Sequence, residues 1–420
     1  MGRFGPDSDR TAAAVHEKRL WSRLMELATH GAMPDGGVTR LALSEADIDA
    51  RRLIARWAES LQAEVLADDA GNCFIRYAGR DPELPPVMAG SHIDTVPGGG
   101  KFDGAYGVVA ALEVIEAMQQ AGVRPKRSVE AVIWTNEEGA RFSPGQMGAA
   151  AFAGTRSVDE ILCVKDRDGV RVRDVLPRML AALPKARMRS LGVPITAFFE
   201  AHIEQGPELE AHATQIGVVT GIQGRRSFIV TVLGEAAHGG TARQSERKDA
   251  LLGAVRIIGA LEASVLENES DARLTIGTFS LEPNAPLVVP GCVRFSVDLR
   301  HPENATMKRL GDLVPAICAR HRGACAVEVV ENANAPCAYF GEPMMQFIEA
   351  AVDRLQLSRR RIFSLAGHDS REIVKIAPTG MIFVPCKRGL SHSALEEAEP
   401  HDLAAGARVL AEVVIAACDA

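Results

Sequence analysis

Between residues 10 and 30, Val15, Leu20, Leu24 and Leu27 fall near helical spacing and Gly31 stops the run, so an amphipathic helix is predicted there. Ser44 with Asp47 resembles a capping box that opens a second helix through about Ser60. Glu64–Asp68 and Cys73–Tyr77 read as strands joined by the Ala70-Gly71-Asn72 turn. A third strand starts at Val87–Ala89 and runs into Ser91-His92-Ile93-Asp94. Gly107–Met118 is a strongly apolar helix, and Ser128–Thr135 is a strand apolar enough to be covered on both faces. Alternating strands and helices predict an α/β domain with a mixed sheet flanked by helices, whose ligands collect at the carboxyl ends of its strands.

From about Ile216 to Glu331 the order changes. The pattern predicts strand 226–233, helix 247–267, strand 273–281, strand 291–299, helix 303–321 and strand 324–331. That is β-α-β-β-α-β, a ferredoxin-like unit, and α/β sequence on both sides suggests an insertion. The expected division is a discontinuous catalytic domain over 1–213 and 332–420, with the inserted domain over 214–331. After Pro343 the pattern predicts helix 343–355, strand 380–384 and a closing helix 401–417. Asp166–Pro194, rich in Arg and Pro, yields no firm element.

The chain has 420 residues, 47% hydrophobic and 24% charged, with a formal net charge of -7. That length favours two domains and that composition a globular fold. Basic residues form no run, so nucleic acid is not the expected partner. No apolar stretch approaches the roughly 20 residues that span a bilayer, and Met-Gly-Arg-Phe-Gly-Pro lacks the apolar core of a secretory signal. Eight cysteines without a C-x-x-C pair read as scattered buried thiols of a reducing compartment. The cytoplasm is the expected location, with neither membrane nor nucleic acid as partner.

The chemistry gathers at predicted strand ends. His92 and Asp94, two apart, point the same way from a strand, which suits an imidazole ligand and the carboxylate that orients it. Asp103 follows the glycine-rich turn Gly98-Gly99-Gly100, which has the freedom to fold back toward His92. Thr135-Asn136-Glu137-Glu138-Gly139 ends the buried strand. Adjacent Glu residues are often only a solvated pair, yet here one can ligate a cation while the other acts as general base. His202, in His202-Ile203-Glu204-Gln205-Gly206-Pro207, and His392, in Gly389-Leu390-Ser391-His392-Ser393, also follow apparent strands. His238 lies beside Gly239-Gly240 in the inserted segment and is ambiguous on pattern alone. His16, His30, His212, His301, His321 and His401 read as structural or solvated. Three histidines and two carboxylates, without a nearby cysteine, favour zinc, manganese or cobalt. Five ligands would fit two ions bridged by one carboxylate.

The motifs S-H-I-D-T-V-P-G-G-G-K-F-D-G, T-N-E-E-G-A-R-F, H-I-E-Q-G-P, V-V-P-G-x-V-x-F-S-x-D-x-R and G-L-S-H run in order over nearly the whole chain. Together they resemble the dinuclear-metal amidohydrolases that include N-carbamoyl-L-amino-acid hydrolases, β-ureidopropionases and allantoate amidohydrolases, within the aminoacylase and zinc-carboxypeptidase-like superfamily. The resemblance implies hydrolysis of a linear C–N amide bond in an N-carbamoyl amino acid or related ureido acid, with an N-acyl amino acid or other small amide as the alternative. It implies two divalent ions per subunit, zinc first, with His92, Asp103, Glu138, His202 and His392 as ligands and Asp103 bridging. Asp94 would orient His92, and Glu137 would be the general base for attack by activated water. Gln205 would contact the small-molecule substrate and Arg300 would grip its carboxylate. His238 would reach into the partner's site of a homodimer, and the inserted domain would be a lid and dimerisation domain.

The chain departs from the family pattern P-N-x-x-N-V-V-P-G at Leu287, which stands where an Asn helps hold the substrate. Gly148-Ala149 replaces a usual Gly-Ser. After His238 the chain reads Gly239-Gly240-Thr241-Ala242-Arg243-Gln244 rather than A-G-x-T-P-M, and Lys387-Arg388 precede Gly389. Leu287 removes an amide from a polar pocket. The expectation is an intact metal centre beside a pocket altered toward a bulkier, more apolar or more anionic substrate.

Overall fold

A computed structural model describes residues 2–266 and 269–420. The chain divides into two compact units, Met1–Gly221 with Tyr339–Ala420, and Ile222–Ala338. The first unit runs past residue 213 because strand Ile216–Ile222 pairs antiparallel with Thr379–Val384 in its own sheet.

Four parallel strands form the middle of that sheet, in the order Thr379–Val384, Ala197–Ile203, Val87–His92, Val129–Trp134. Side chains alternate across it, as a two-residue period requires. Val87, Ala89, Val129, Ala131 and Ile133 join a large core with helices Ala105–Gln120 and Pro400–Cys418. Met88, Val132, Trp134 and Phe198 join a second core with Phe152 and Ile373. Each fully buried Leu, Val or Phe contributes about 1.5–3 kcal/mol. These strands are therefore held on both faces, and their carboxyl ends are fixed points. Glu64–Ala67 and Cys73–Tyr77 form the expected antiparallel hairpin beside Val129–Trp134.

Several local expectations change. The helix over 10–30 is two helices, Pro6–Ala14 and Glu17–Ala28. The chain breaks at His16, whose ring caps the second helix by accepting from the Arg19 N–H while the His16 backbone N–H donates to Glu113. Ser44 does cap Glu45–Ser60, but Asp47 accepts from the Leu43 N–H rather than completing a box with Ser44. Asp166–Pro194 contains helix Val172–Ala181. Among the cysteines Cys163 is exposed and Cys292 half-buried, not buried like the rest.

The second unit has an antiparallel sheet in the order Arg273–Thr275, Cys292–His301, Gly224–Leu233, Ala326–Ala335. The expected strand 273–281 is two pieces, Arg273–Thr275 and Phe279–Glu282, both paired with Cys292–His301 and separated at Gly277. Helices Ala250–Leu266 and Asn304–His321 pack Ile257, Leu261, Leu310 and Val314 on one face against Phe228, Val230, Phe295 and Val297. Residue 267, the expected end of the first of these helices, lies outside the described residues. Among the described residues no helix is long and apolar enough to cross a membrane.

Candidate metal centre and active site

Three of the four central strands deliver their site residues directly. His92 is the last residue of Val87–His92, His202 lies at the end of Ala197–Ile203, and Glu137 and Glu138 follow Val129–Trp134. His392 follows Thr379–Val384 through a longer loop. Positive φ values occur at Asn136 (56°), Gln205 (57°) and His392 (54°), a backbone region that non-glycine residues enter at a cost. Gly104 also has positive φ, and a Cβ there would lie 2.4 Å from the His92 ring. Only glycine lets the Asp103 loop pass so close to that imidazole.

Asp103 is the centre of the cluster. Its Oδ1 lies 3.2 Å from His202 Nε2 and 3.8 Å from His92 Nε2, and its Oδ2 lies 3.0 Å from His392 Nε2. Glu138 Oε2 is 3.3 Å from the same His392 nitrogen. Two groups of possible metal ligands therefore share Asp103, one being His92, Asp103 and His202, the other Asp103, Glu138 and His392. The donors are nitrogen and oxygen throughout, and Glu138 Oε1 is buried without a hydrogen-bond partner. Such a set suits a hard or borderline divalent cation.

Electrostatics point the same way. Burial alone would lower the His92 imidazole, but Glu137, Asp94, Asp103 and Glu138 carry it up to about 10. Hydrogen bonds to Asp103 and Glu138 lift His392 to about 11 despite partial burial. Burial opposes ionisation of Asp103, yet His202, His392 and His92 hold it well below the usual carboxylate range. Burial pushes Glu137 up to about 8, aided by Glu138, Asp94 and Asp103 and opposed by His92. The charges answer one another, and a bound cation would take the place of the imidazole protons.

Asp94 touches His92 through its backbone. His92 Nδ1 lies 2.9 Å from the Asp94 carbonyl oxygen and 3.8 Å from its Oδ1. The carboxylate instead accepts the N–H groups of Glu137 (3.1 Å) and Glu138 (3.2 Å), and so fixes the turn that carries both. Gln205 donates its amide to Asp103 Oδ2 and Ser391 Oγ, each at 3.0 Å.

Three other expected residues belong to the second unit. His238 and Leu287 lie close together at a two-stranded antiparallel ladder in which His238 pairs with Val288 and the Gly239 N–H donates to the Leu287 carbonyl. His238 is exposed, and its Nδ1 accepts the N–H groups of Gly240 and Thr241. Leu287 is 82% exposed with φ of 68°. Arg300 donates Nε to Asp298 Oδ1 at 2.8 Å.

Residues that no sequence pattern singled out also reach the site. Glu396 accepts the N–H groups of Phe102 (2.7 Å) and Asp103 (3.1 Å) and the Ser391 hydroxyl (2.7 Å), so it ties the Asp103 loop to the His392 loop. Gln146 donates to Glu137 Oε1 at 3.3 Å and to the His368 carbonyl. Glu200 accepts from Ser91 and Ser370 below the site. The His368 ring packs 4.5 Å from that of His202. Asp369 is fully buried with neither oxygen hydrogen-bonded, and burial together with Glu137 and Glu200 holds its carboxyl well above the usual range. The one usable signal was Gly367-His368-Asp369, which follows strand Arg359–Ser364.

The profile of Peptidase family M20/M25/M40 matches residues 88–416. The chain is 37% identical over 405 residues to an N-carbamoyl-L-amino-acid amidohydrolase of Rhizobium meliloti, covering 96% of each. It is 35% identical to an allantoate amidohydrolase of Bacillus subtilis, covering 92% of this chain and 94% of that one. Among solved structures, an amidase of the hydantoinase/carbamoylase family from Burkholderia vietnamiensis superposes with a TM-score of 0.88 at 40% identity, covering 97% of this chain and 98% of the other.

Proposed function

The chain belongs to peptidase family M20/M25/M40, and from that premise we propose that it hydrolyses the linear C–N bond of an N-carbamoyl amino acid or related ureido acid. The observation that carries this reading is the pair of ligand groups sharing Asp103, with the Glu137 carboxyl at 3.7 Å from His92. Two divalent ions, zinc first, would be held by His92, Asp103 and His202 and by Asp103, Glu138 and His392. Bound there, they would polarise the scissile carbonyl and acidify the attacking water.

The chain's own groups supply the rest. Glu137, whose carboxyl is held above the usual range by burial and by Glu138, Asp94 and Asp103, would take a proton from water and return it to the leaving nitrogen. Gln146 holds one oxygen of that carboxylate and Asp94 holds its backbone, so the base is aimed before substrate arrives. Gln205 serves the substrate, Arg300 its carboxylate, and His238 the site of a second subunit in a homodimer. The second unit serves as a ferredoxin-like lid and dimerisation domain, a reading supported by its strand order and its two helices on one face.

Leu287 favours a second reading, an N-acyl amino acid or other small amide, because an exposed alkyl group there offers no hydrogen bond to a ureido group. The test is a substrate panel on metal-reconstituted protein, with ammonia release from allantoate and N-carbamoyl amino acids set against amine release from N-acyl amino acids. Ammonia release from a ureido acid is expected. Turnover of N-acyl compounds alone would overturn the first reading in favour of the second. Glu137→Gln should lower kcat by roughly 10²–10⁴-fold while metal content holds.

A further inference from the structure

Arg40 lies outside every motif of the site, and it is a buried cation, 1% exposed. Its guanidinium donates to carbonyl oxygens, Nε to Ile93 at 2.6 Å and Nη1 to Leu27 at 3.0 Å and His30 at 2.8 Å. Burial brings it down to about 10, although Asp47 and Asp94 favour its charged form from a longer range. A buried charge without a bonded counter-ion is costly, and a neutral side chain of similar volume would avoid that cost. The reason for a cation at this place has to lie in what it holds.

Leu27 and His30 stand at the end of helix Glu17–Ala28, where carbonyl oxygens lack partners within the helix and positive charge is favoured. Ile93 is the residue between His92 and Asp94. The Arg40 backbone takes hold two residues further on, donating its N–H to Thr95 Oγ1 at 2.9 Å and accepting the Thr95 N–H at 2.9 Å. Asp94 is therefore fixed on both sides. Its own carbonyl oxygen lies against His92 Nδ1, and its carboxylate holds the N–H groups of Glu137 and Glu138.

The neighbours of Arg40 reach the other ligand loops. Val38 donates its N–H to the Gly99 carbonyl at 2.8 Å, and Thr39 Oγ1 accepts the Gly98 N–H at 2.8 Å. The Ala42 carbonyl accepts from Arg141 Nη1 at 3.0 Å. Gly98 and Gly99 lead to Asp103, and Arg141 follows Glu138 by three residues. One short segment, 38–42, thus touches three of the stretches that bring ligands together. Asp94 belongs to neither ligand group, and Arg40 supplies a fixed positive charge on its side of the cluster.

We propose that Arg40 is a positioning residue of the active site, whose guanidinium fixes the peptide between His92 and Asp94 and so sets the distance from His92 to the Glu137–Glu138 turn. This rests on the reading of His92 and Glu138 as metal ligands and Glu137 as the base. Arg40 hydrogen-bonds to none of those side chains, so its effect passes through Asp94.

The test compares the full-length wild type with Arg40→Met, Arg40→Lys and Thr95→Val, the last removing the hydroxyl that accepts the Arg40 N–H. Arg19→Met is the control for lost stability alone, because Arg19 bonds the buried Glu113 of helix Ala105–Gln120. Each protein is freed of metal, its Tm is recorded, and zinc affinity is measured by competition with a chelator. Arg40→Met should weaken zinc binding by about tenfold or more. At saturating zinc it should lower kcat on a ureido acid by about tenfold or more, with KM held within about twofold. Arg40→Lys should recover part of the affinity, since it keeps the charge but not the planar fork. Thr95→Val should show the same pattern more weakly, and Arg19→Met should lower Tm while zinc affinity stays at the wild-type value. The inference is overturned if Arg40→Met, or Thr95→Val where Arg40→Met does not fold, loses Tm alone and binds zinc as the wild type does. A wild type that binds zinc yet hydrolyses no ureido acid would sink the functional reading, and zinc affinity would still decide the role of Arg40.

Discussion

The ligand cluster of the first unit and the open sheet face of the second are both made of charged side chains set by strand register, but they meet water differently. In the cluster the His92, His202 and Asp103 side chains are 3%, 1% and 6% exposed, while His392 at its rim is 50% exposed. On the open face those of Arg225 and Arg300 are 47% and 35% exposed. Buried charges with few alternatives to one another are strongly coupled, and removing one leaves its neighbours uncompensated. Half-solvated charges interact weakly and can be tuned singly. The difference teaches that a change in the cluster spreads to every neighbouring charge, whereas a change on the open face stays local.

The largest effect should come from breaking the cluster at its centre. Asp103 belongs to both ligand groups, so Asp103→Asn should cost both ions and with them activity toward every substrate. Metal analysis after dialysis checks this. A variant that keeps both ions at full occupancy would show that the two groups do not depend on a shared carboxylate.

A smaller effect is expected one contact further out. Glu396 touches the Asp103 loop and Ser391 but lies in neither ligand group. Glu396→Gln should weaken metal affinity by about 10–100-fold and leave kcat largely recoverable at saturating metal. A loss of kcat that excess metal does not repair would assign Glu396 to the chemistry itself. The affinity should also depend on pH in a defined direction. His92 and His392, carried up to about 10 and about 11, hold protons that a metal must displace. Apparent affinity should therefore rise with pH across roughly pH 6–9, by about tenfold per unit for each proton released. Competition with a chelator at several pH values measures that slope, and a flat profile would mean that the imidazoles are already neutral.

The same contrast explains what the sequence made legible. His92, His202 and the Glu137–Glu138 pair follow apolar runs that read as buried strands, and their chemistry is visible because the strands place it. His368 and Asp369 follow Arg359–Ser364, whose Arg359 and Arg361 bond Glu342, Glu349 and Asp353. That stretch is a sheet-edge strand without an apolar period, so nothing upstream marked the histidine. Glu396 acts across 294 positions on Phe102, a separation no local pattern can express. The row of Arg225, Arg273 and Arg300 is likewise invisible until register is known, since only Arg300 lies in a motif and the other two look like ordinary surface arginines.

The smallest expected effect lies at Leu287, and it sharpens the comparison most finely. Its φ of 68° belongs to the left-handed region, where Asn sits more easily than Leu. At 82% exposure the leucyl side chain gives up almost no packing when removed. Leu287→Asn should therefore leave stability unchanged or raise it by about 0.5–1 kcal/mol, a Tm shift of roughly one to two degrees. If the second unit sets substrate preference, the same change should raise the rate on a ureido acid relative to an N-acyl amino acid, because it returns amide donors and an acceptor to the ladder beside His238. Unchanged relative rates would mean that Leu287 has no part in substrate choice.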